Sequence, residues 1–344
     1  NNCFNLTCPL SRFLLLASLA DARTAPSRFA ARAAQVKQML GLVRIFMKHL
    51  EYDYPPEIVS YLKSASDLFF SLKDRGLMGL GVLSGSGYIN ENNNAIAFLL
   101  RNAVAYIDGL GISSAVPNIE NMKILARSFL EIKCYLDYIF KENTNERAIA
   151  YQNNYILEKI KLYRKFDPST DSGKQLIDRW KKDRIFSSID RIEIDTSDNV
   201  INLERQLNRE PFKTVREKQS SCGKNAKWYT FDTGKFNFSE LCDYLECQIE
   251  YELYYRNWSG IIHSTSVYEG NIYHGKSENG MESIRSINGY KELITVLYSL
   301  IIELYTSIFK VADEGYYIRL VRYFKNIYYP MKKKILSVSI SVQT

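Results

Sequence analysis

Arg256 and His263, seven positions apart in "YYRNWSGIIHSTS", are the residue types best suited to proton transfer at a phosphate. The chain holds only three histidines, and imidazole takes and gives protons near neutral pH. Arginine grips non-bridging phosphate oxygens with a planar fork of donors and offsets charge in the transition state. The pair suits RNA cleavage, in which the substrate's own 2′-OH attacks the adjacent phosphate and no metal or protein nucleophile is required. Asn257 or Ser259 could donate a further hydrogen bond, and Glu252 or Glu131 could fix the imidazole tautomer. The structural alternative is equally concrete. His263 would cap a helix C-terminus, where the dipole favours a cation, and Ser259 and Gly260 would let helices pack closely.

These residues need a helix to hold them. "NFSE", Asn237 to Glu240, is a capping-box start, and the spacing predicts one helix over 239–264. At 100° per residue, Leu241, Leu245, Ile249 and Leu253 form an apolar stripe. Continued, it meets Glu252, Arg256, Ser259, Gly260 and His263, so the polar cluster is expected to face the core. Arg127 and Glu131 are i and i+4 on an earlier helix, on one face with Cys134 and Tyr138, and read either as a salt bridge or as a pair in which Glu131 orients Arg256 or His263 across a helix–helix contact.

Apolar residues recur at three- and four-residue intervals along most of the chain, the helical period. The expected fold is all-α: an irregular bundle of six to eight helices over about 46–330. Its four core helices fall near 93–110, 120–142, 145–166 and 239–264, with 289–328 packed against them. "PPEIVSYLKSASDLFFSLKDRG" opens on prolines and is expected to stop at Gly76. The Gly/Ser/Asn-rich stretch after it reads as a loop. Residues 169–235 read as charged helices and a loop. The Ala/Arg-rich residues 1–45 differ in composition from the rest and are expected to lie outside the folded unit. An N-terminal helix and loop (46–89), a bundle (90–330) and a tail (331–344) follow.

The 25 tyrosines point to a core with internal polar contacts, because a packed phenol still needs a partner for its hydroxyl. Net charge is +7, compatible with an anionic partner without specifying one. The cysteines, at 3, 8, 134, 222, 242 and 247, form no C-x-x-C pair and have no histidines at zinc spacing. Cys134 and Cys242 read as small helical hydrophobes, and the compartment as reducing and cytoplasmic, with no metal and no cofactor expected. No run reaches a membrane span; "ELITVLYSLIIELYTSIF" comes nearest and reads as a core helix. P-loop, dinucleotide and G-x-S-x-G patterns are absent, and nothing suggests a reader of DNA sequence. In "YYIRLVRYFKNIYYPMKKK", Arg319, Arg322 and Lys325 alternate with aromatics. They fit either single-stranded RNA or an amphipathic helix that buries its tyrosines. His274 reads as an exposed loop residue and His49 as structural.

Two family resemblances rest on these motifs. "RSFLE", "AIAY", "WYTF" and "SGIIHSTS", in that order, resemble a bacterial helical family catalogued as domain of unknown function 5677. The resemblance covers about residues 90–310, matches at Arg127, Ser128, Glu131, Tyr151, Trp228, Tyr229, Ser259 and His263, and implies a fold rather than an activity. "RNWSGIIH" also resembles the motif of HEPN ribonucleases, helical bundles of toxins and phage-defence proteins. Their arginine, usually followed by a polar residue, precedes a histidine by four to six intervening positions. That resemblance implies a metal-independent endoribonuclease, catalytic Arg256 and His263, and a homodimer that builds the site from two protomers. The alternative is a non-catalytic interaction module in which an Arg/Glu/His network joins helices.

Overall fold

The computed structural model describes residues 54–185, 196–223, 226–235, 237–263, 272–274, 279–281 and 283–338. The chain divides after Pro55, and the unit Pro56–Thr344 is described by itself. The readings for residues 1–45, His49, Cys3 and Cys8 fall outside the described residues, as does the side chain of His274.

The fold is an all-α irregular bundle. Among the described residues, strand is confined to a hairpin in which β1 (Ile272–His274) pairs antiparallel with β2 (Asn279–Met281). Helices α1 (Pro56–Gly85), α2 (Ala95–Ala115), α3 (Ile119–Lys141) and α4 (Thr144–Lys165) pack in sequence order, and α3 also meets α12 (Tyr290–Ala312). Helices α5 (Asp171–Lys182), α6 (Thr196–Leu207) and α7 (Phe212–Ser221) gather beside α4. Local chemistry sets the starts. Asn118 accepts from Asn121 N at 3.0 Å to cap α3, and Thr170 accepts from Gly173 N at 3.0 Å to cap α5.

Helix α1 does not stop at Gly76 as its sequence suggests; it runs on to Gly85, through the stretch read as a loop. The reason is tertiary. Gly76 faces Val104 and the Tyr305 hydroxyl, and Gly79 faces the Phe309 ring, each so closely that a Cβ would collide. A mid-helix glycine costs about 1 kcal/mol relative to alanine, and here it lets α12 reach the α1 backbone.

That approach satisfies the tyrosine core. Tyr298 and Tyr305, two turns apart on α12, donate to Ala65 O at 2.8 Å and Leu72 O at 2.9 Å, two turns apart on α1. Tyr290 bonds Ser114 on α2, and Tyr316 donates to Arg75 O. The helix α13 (Glu314–Tyr323) carries Tyr316 and continues through a π turn (Phe324–Tyr328) into α14 (Tyr329–Leu336). Both α2 and α12 are long and apolar enough to cross a membrane by length and composition, which corrects the expectation that no run reaches that length. Half of each apolar stretch is buried within the bundle.

Candidate functional site

The helix expected over 239–264 forms in pieces. Helix α8 (Thr230–Thr233) precedes α9 (Phe238–Tyr244), which is capped by Asn237 accepting from Glu240 N at 2.9 Å. The chain then turns at Glu246, whose φ of +62° is left-handed. Helix α10 (Gln248–Glu250) restarts it and passes through a π turn (Tyr251–Tyr255) into α11 (Arg256–Ile262). Each break rotates the residues after it, because a π turn adds one residue to a turn. The apolar stripe therefore fails beyond Leu245. Ile249 is 71% exposed and Leu253 57%, and the Arg256 side chain is 72% exposed. Glu252, Asn257 and His263 are exposed as well. The expected core-facing cluster is thus corrected: of its members Ser259 and Gly260 are half-buried, beside the buried Trp258, and the rest are exposed.

Ser259 meets Arg127. From α3, the Arg127 guanidinium donates through Nε to Ser259 Oγ (3.2 Å), through one terminal nitrogen to Glu131 Oε2 (2.9 Å), and through the other to the Tyr255 hydroxyl (2.7 Å). It also stacks 4.5 Å from the Tyr255 ring centre, a cation–π contact. Tyr135, one turn beyond Glu131, donates to Glu131 Oε1 at 2.9 Å. So Glu131 orients Arg127, not Arg256 or His263, and this corrects the expected partner. Burial and the Glu131 carboxylate push the Tyr255 phenol up to about 12 and raise Tyr135 further still. The Tyr135 ring packs edge-on against Trp228, 5.3 Å between centres, and Trp228 against Tyr151 at 5.1 Å. The matched motifs thus converge: Arg127, Glu131, Tyr151, Trp228, Tyr229 and Ser259 share one contact region between α3, α4 and α11.

Sequence reading missed the most buried charge. Arg147 has no exposed surface. Its guanidinium donates to Asp232 Oδ2 at 2.5 Å, to Tyr138 O at 2.5 Å, to Glu142 Oε1 at 2.7 Å and to the Tyr244 hydroxyl at 2.9 Å, over the Tyr138 ring at 4.0 Å. Burial works against its charge, but the bonds to Tyr244 and Asp232 and the charge of its neighbours overcome that and raise its pKa. Glu142 is correspondingly held below the usual carboxylate range by its bonds to Tyr244 and Arg147. A partial signal was present: in "RAIAY" and "WYTFD" a single charge, Arg147 or Asp232, adjoins otherwise apolar and aromatic residues.

On the surface, Arg256 pairs with Glu252 at 3.1 Å. His263 ends α11, its backbone N–H on Ser259 O at 3.1 Å, with Arg256 two turns earlier, about 10 Å along the axis. On α13 and the π turn after it, Arg319, Arg322 and Lys325 are exposed while Tyr316, Tyr323, Phe324 and Tyr328 are buried. The amphipathic reading of this tail is met in part: those four rings are buried, while Tyr329 and the apolar Ile318, Val321 and Ile327 are exposed among the cations. An open groove of about 620 Å³ between α4 and α7 is lined by Lys161, Arg216, Lys227 and Trp228. The cysteines read as separate hydrophobes are not separate: Cys134, Cys242 and Cys247 bring their sulfurs together.

Fold and network define a helical-bundle domain whose short helix α11 is fastened by an arginine that also holds a glutamate. The model of the family described as "Family of unknown function (DUF5677)" matches residues 93–281, more than half of the chain. The chain belongs to that family. No curated protein and no solved structure matches it.

Proposed function

We propose that the protein is a HEPN-like, metal-independent endoribonuclease. In this reading Arg256 and His263 meet RNA, and Arg127, Glu131, Tyr255 and Ser259 hold their helix. The observation that carries it is the placement of Arg256 and His263, both open to solvent on one short helix that is fastened to the bundle at Ser259 between them. His263 takes the 2′-OH proton as the 2′-oxygen bonds to phosphorus. The bond to the 5′-oxygen breaks, and that oxygen leaves with a proton from water. Arg256 releases Glu252 and takes the phosphate oxygens, while Asn257 donates beside it. The exposed Arg319, Arg322 and Lys325 extend the basic surface for the strand. A second protomer would complete the site, as the resemblance implies, and a toxin or effector of phage defence is the setting it suggests.

A second reading is a non-catalytic interaction module. It is favoured by one observation: Arg127 is fully engaged inside the molecule and Arg256 is tied to Glu252. Induction in bacteria separates the two. The ribonuclease predicts growth arrest and fragmented RNA that a folded His263→Ala variant abolishes; intact RNA and equal growth favour the module.

A further inference from the structure

We propose that Cys134, Cys242 and Cys247 form a binding site for a thiophilic divalent cation of the zinc class, with three thiolates as ligands and water in the fourth position. The three sulfurs all lie within 4.8 Å of one another, and Cys134 Sγ is 3.8 Å from Cys247 Sγ. A zinc–thiolate bond is about 2.3 Å, so two sulfurs of one tetrahedron stand about 3.8 Å apart. The separation already matches one edge, and the other two close by a shift of about 1 Å or less.

The backbone explains why the sulfurs meet. Helix α9 ends in a Schellman arrangement: Cys247 N bonds Cys242 O at 2.9 Å and Glu246 N bonds Asp243 O at 3.0 Å. In that motif the side chains two residues past the helix end and three residues before it come into contact. Those positions are Cys247 and Cys242. The left-handed residue between them is Glu246 rather than glycine, a conformation unfavourable for a side-chain-bearing residue. Cys134 arrives from the facing surface of α3. Cys134 and Cys242 are buried, and Cys247 is half-buried, which leaves one side of the triad for a water ligand.

Three thiolates around a divalent ion leave one negative charge, and the half-buried side at Cys247 is where solvent would screen it. Binding releases to solvent the protons of whichever of the three thiols are still protonated.

The full chain, reduced and freed of metal by chelation, is titrated with Co2+ as a spectroscopic probe. The site predicts one equivalent bound, a thiolate-to-cobalt charge-transfer band with tetrahedral visible bands, and displacement by Zn2+. Cys247→Ser, checked for folding by circular dichroism, should weaken binding at least tenfold. A chain with Cys3, Cys8 and Cys222 all changed to Ser should keep the spectrum. A measurement on the unmutated chain stands beside these: Zn2+ should slow alkylation of Cys247 at least tenfold. The proposal fails if no charge-transfer band forms, if the band survives Cys247→Ser, if the triple Ser chain loses it, or if Zn2+ leaves alkylation unchanged. It fails equally if reduced protein takes no cobalt while mild oxidation joins Cys134 to Cys247, which would make the cluster a redox pair.

Discussion

Arg127 and Arg147 are two arginines of opposite visibility in the sequence. The first stands four residues from a glutamate on an evident helix. The second stands just after Glu146 at the start of an apolar run, its acidic partner Asp232 is 85 positions away, and no local spacing announces that contact. Both are spent on the molecule's own groups, and truncating them should be costly. Arg147→Ala leaves the buried Tyr138 carbonyl without its donor and Asp232 without its cation, and leaving a buried acceptor unsatisfied costs about 1–3 kcal/mol. Its urea midpoint should fall accordingly, and Arg147→Lys should recover little, since an ammonium cannot make the same fork. Arg127→Ala and Ser259→Ala should couple in a double-mutant cycle by about 0.5 kcal/mol or more; additive effects would mean that the bond does not fasten α11. Glu252→Gln frees Arg256 at little cost, because an exposed pair contributes about 0–1 kcal/mol. RNA affinity should rise a few-fold in a filter-binding assay.

At the scale of elements, α3 and α4 were legible to within a few residues because their amphipathic period is uninterrupted. The single helix expected over 239–264 is helical for much of its length but broken, and its last piece, α11, is turned away from the expected face. Periodicity carries a face forward only while the helix is regular, and neither the left-handed Glu246 nor the π turn at 251–255 has a signature in residue type. The error at Gly76 runs the other way: glycine normally ends a helix, and here packing overrules it. Gly79→Ala tests that account. A methyl there would collide with the Phe309 ring, and overpacking a filled core costs about 1–3 kcal/mol. Its melting temperature should drop, whereas alanine at Gly81, which faces open space, should hold or raise it.

For the whole molecule, the tyrosine core makes stability depend on alkaline pH. Burial, first of all, raises the phenols of Tyr61, Tyr255 and Tyr316 to about 12. An unfolded tyrosine loses its proton near 10. Between those values the folded state binds more protons than the unfolded one, so stability falls as pH rises from about 10 to about 12. Thermal melts should show the midpoint level below pH 10 and falling above it; a midpoint that stays level to pH 12 would contradict the buried network. The cationic surface, by contrast, was legible in outline from net charge, although its arrangement over α11 and α13 required the fold. The most direct test of the central claim is cleavage of a single-stranded RNA by purified protein in the presence of a chelator, wild type beside folded His263→Ala and Arg256→Ala. The account predicts products with 2′,3′-cyclic phosphate and 5′-hydroxyl ends from wild type, and at least a hundredfold less from either variant. An inactive wild-type dimer, or equal cleavage by folded His263→Ala, would contradict it.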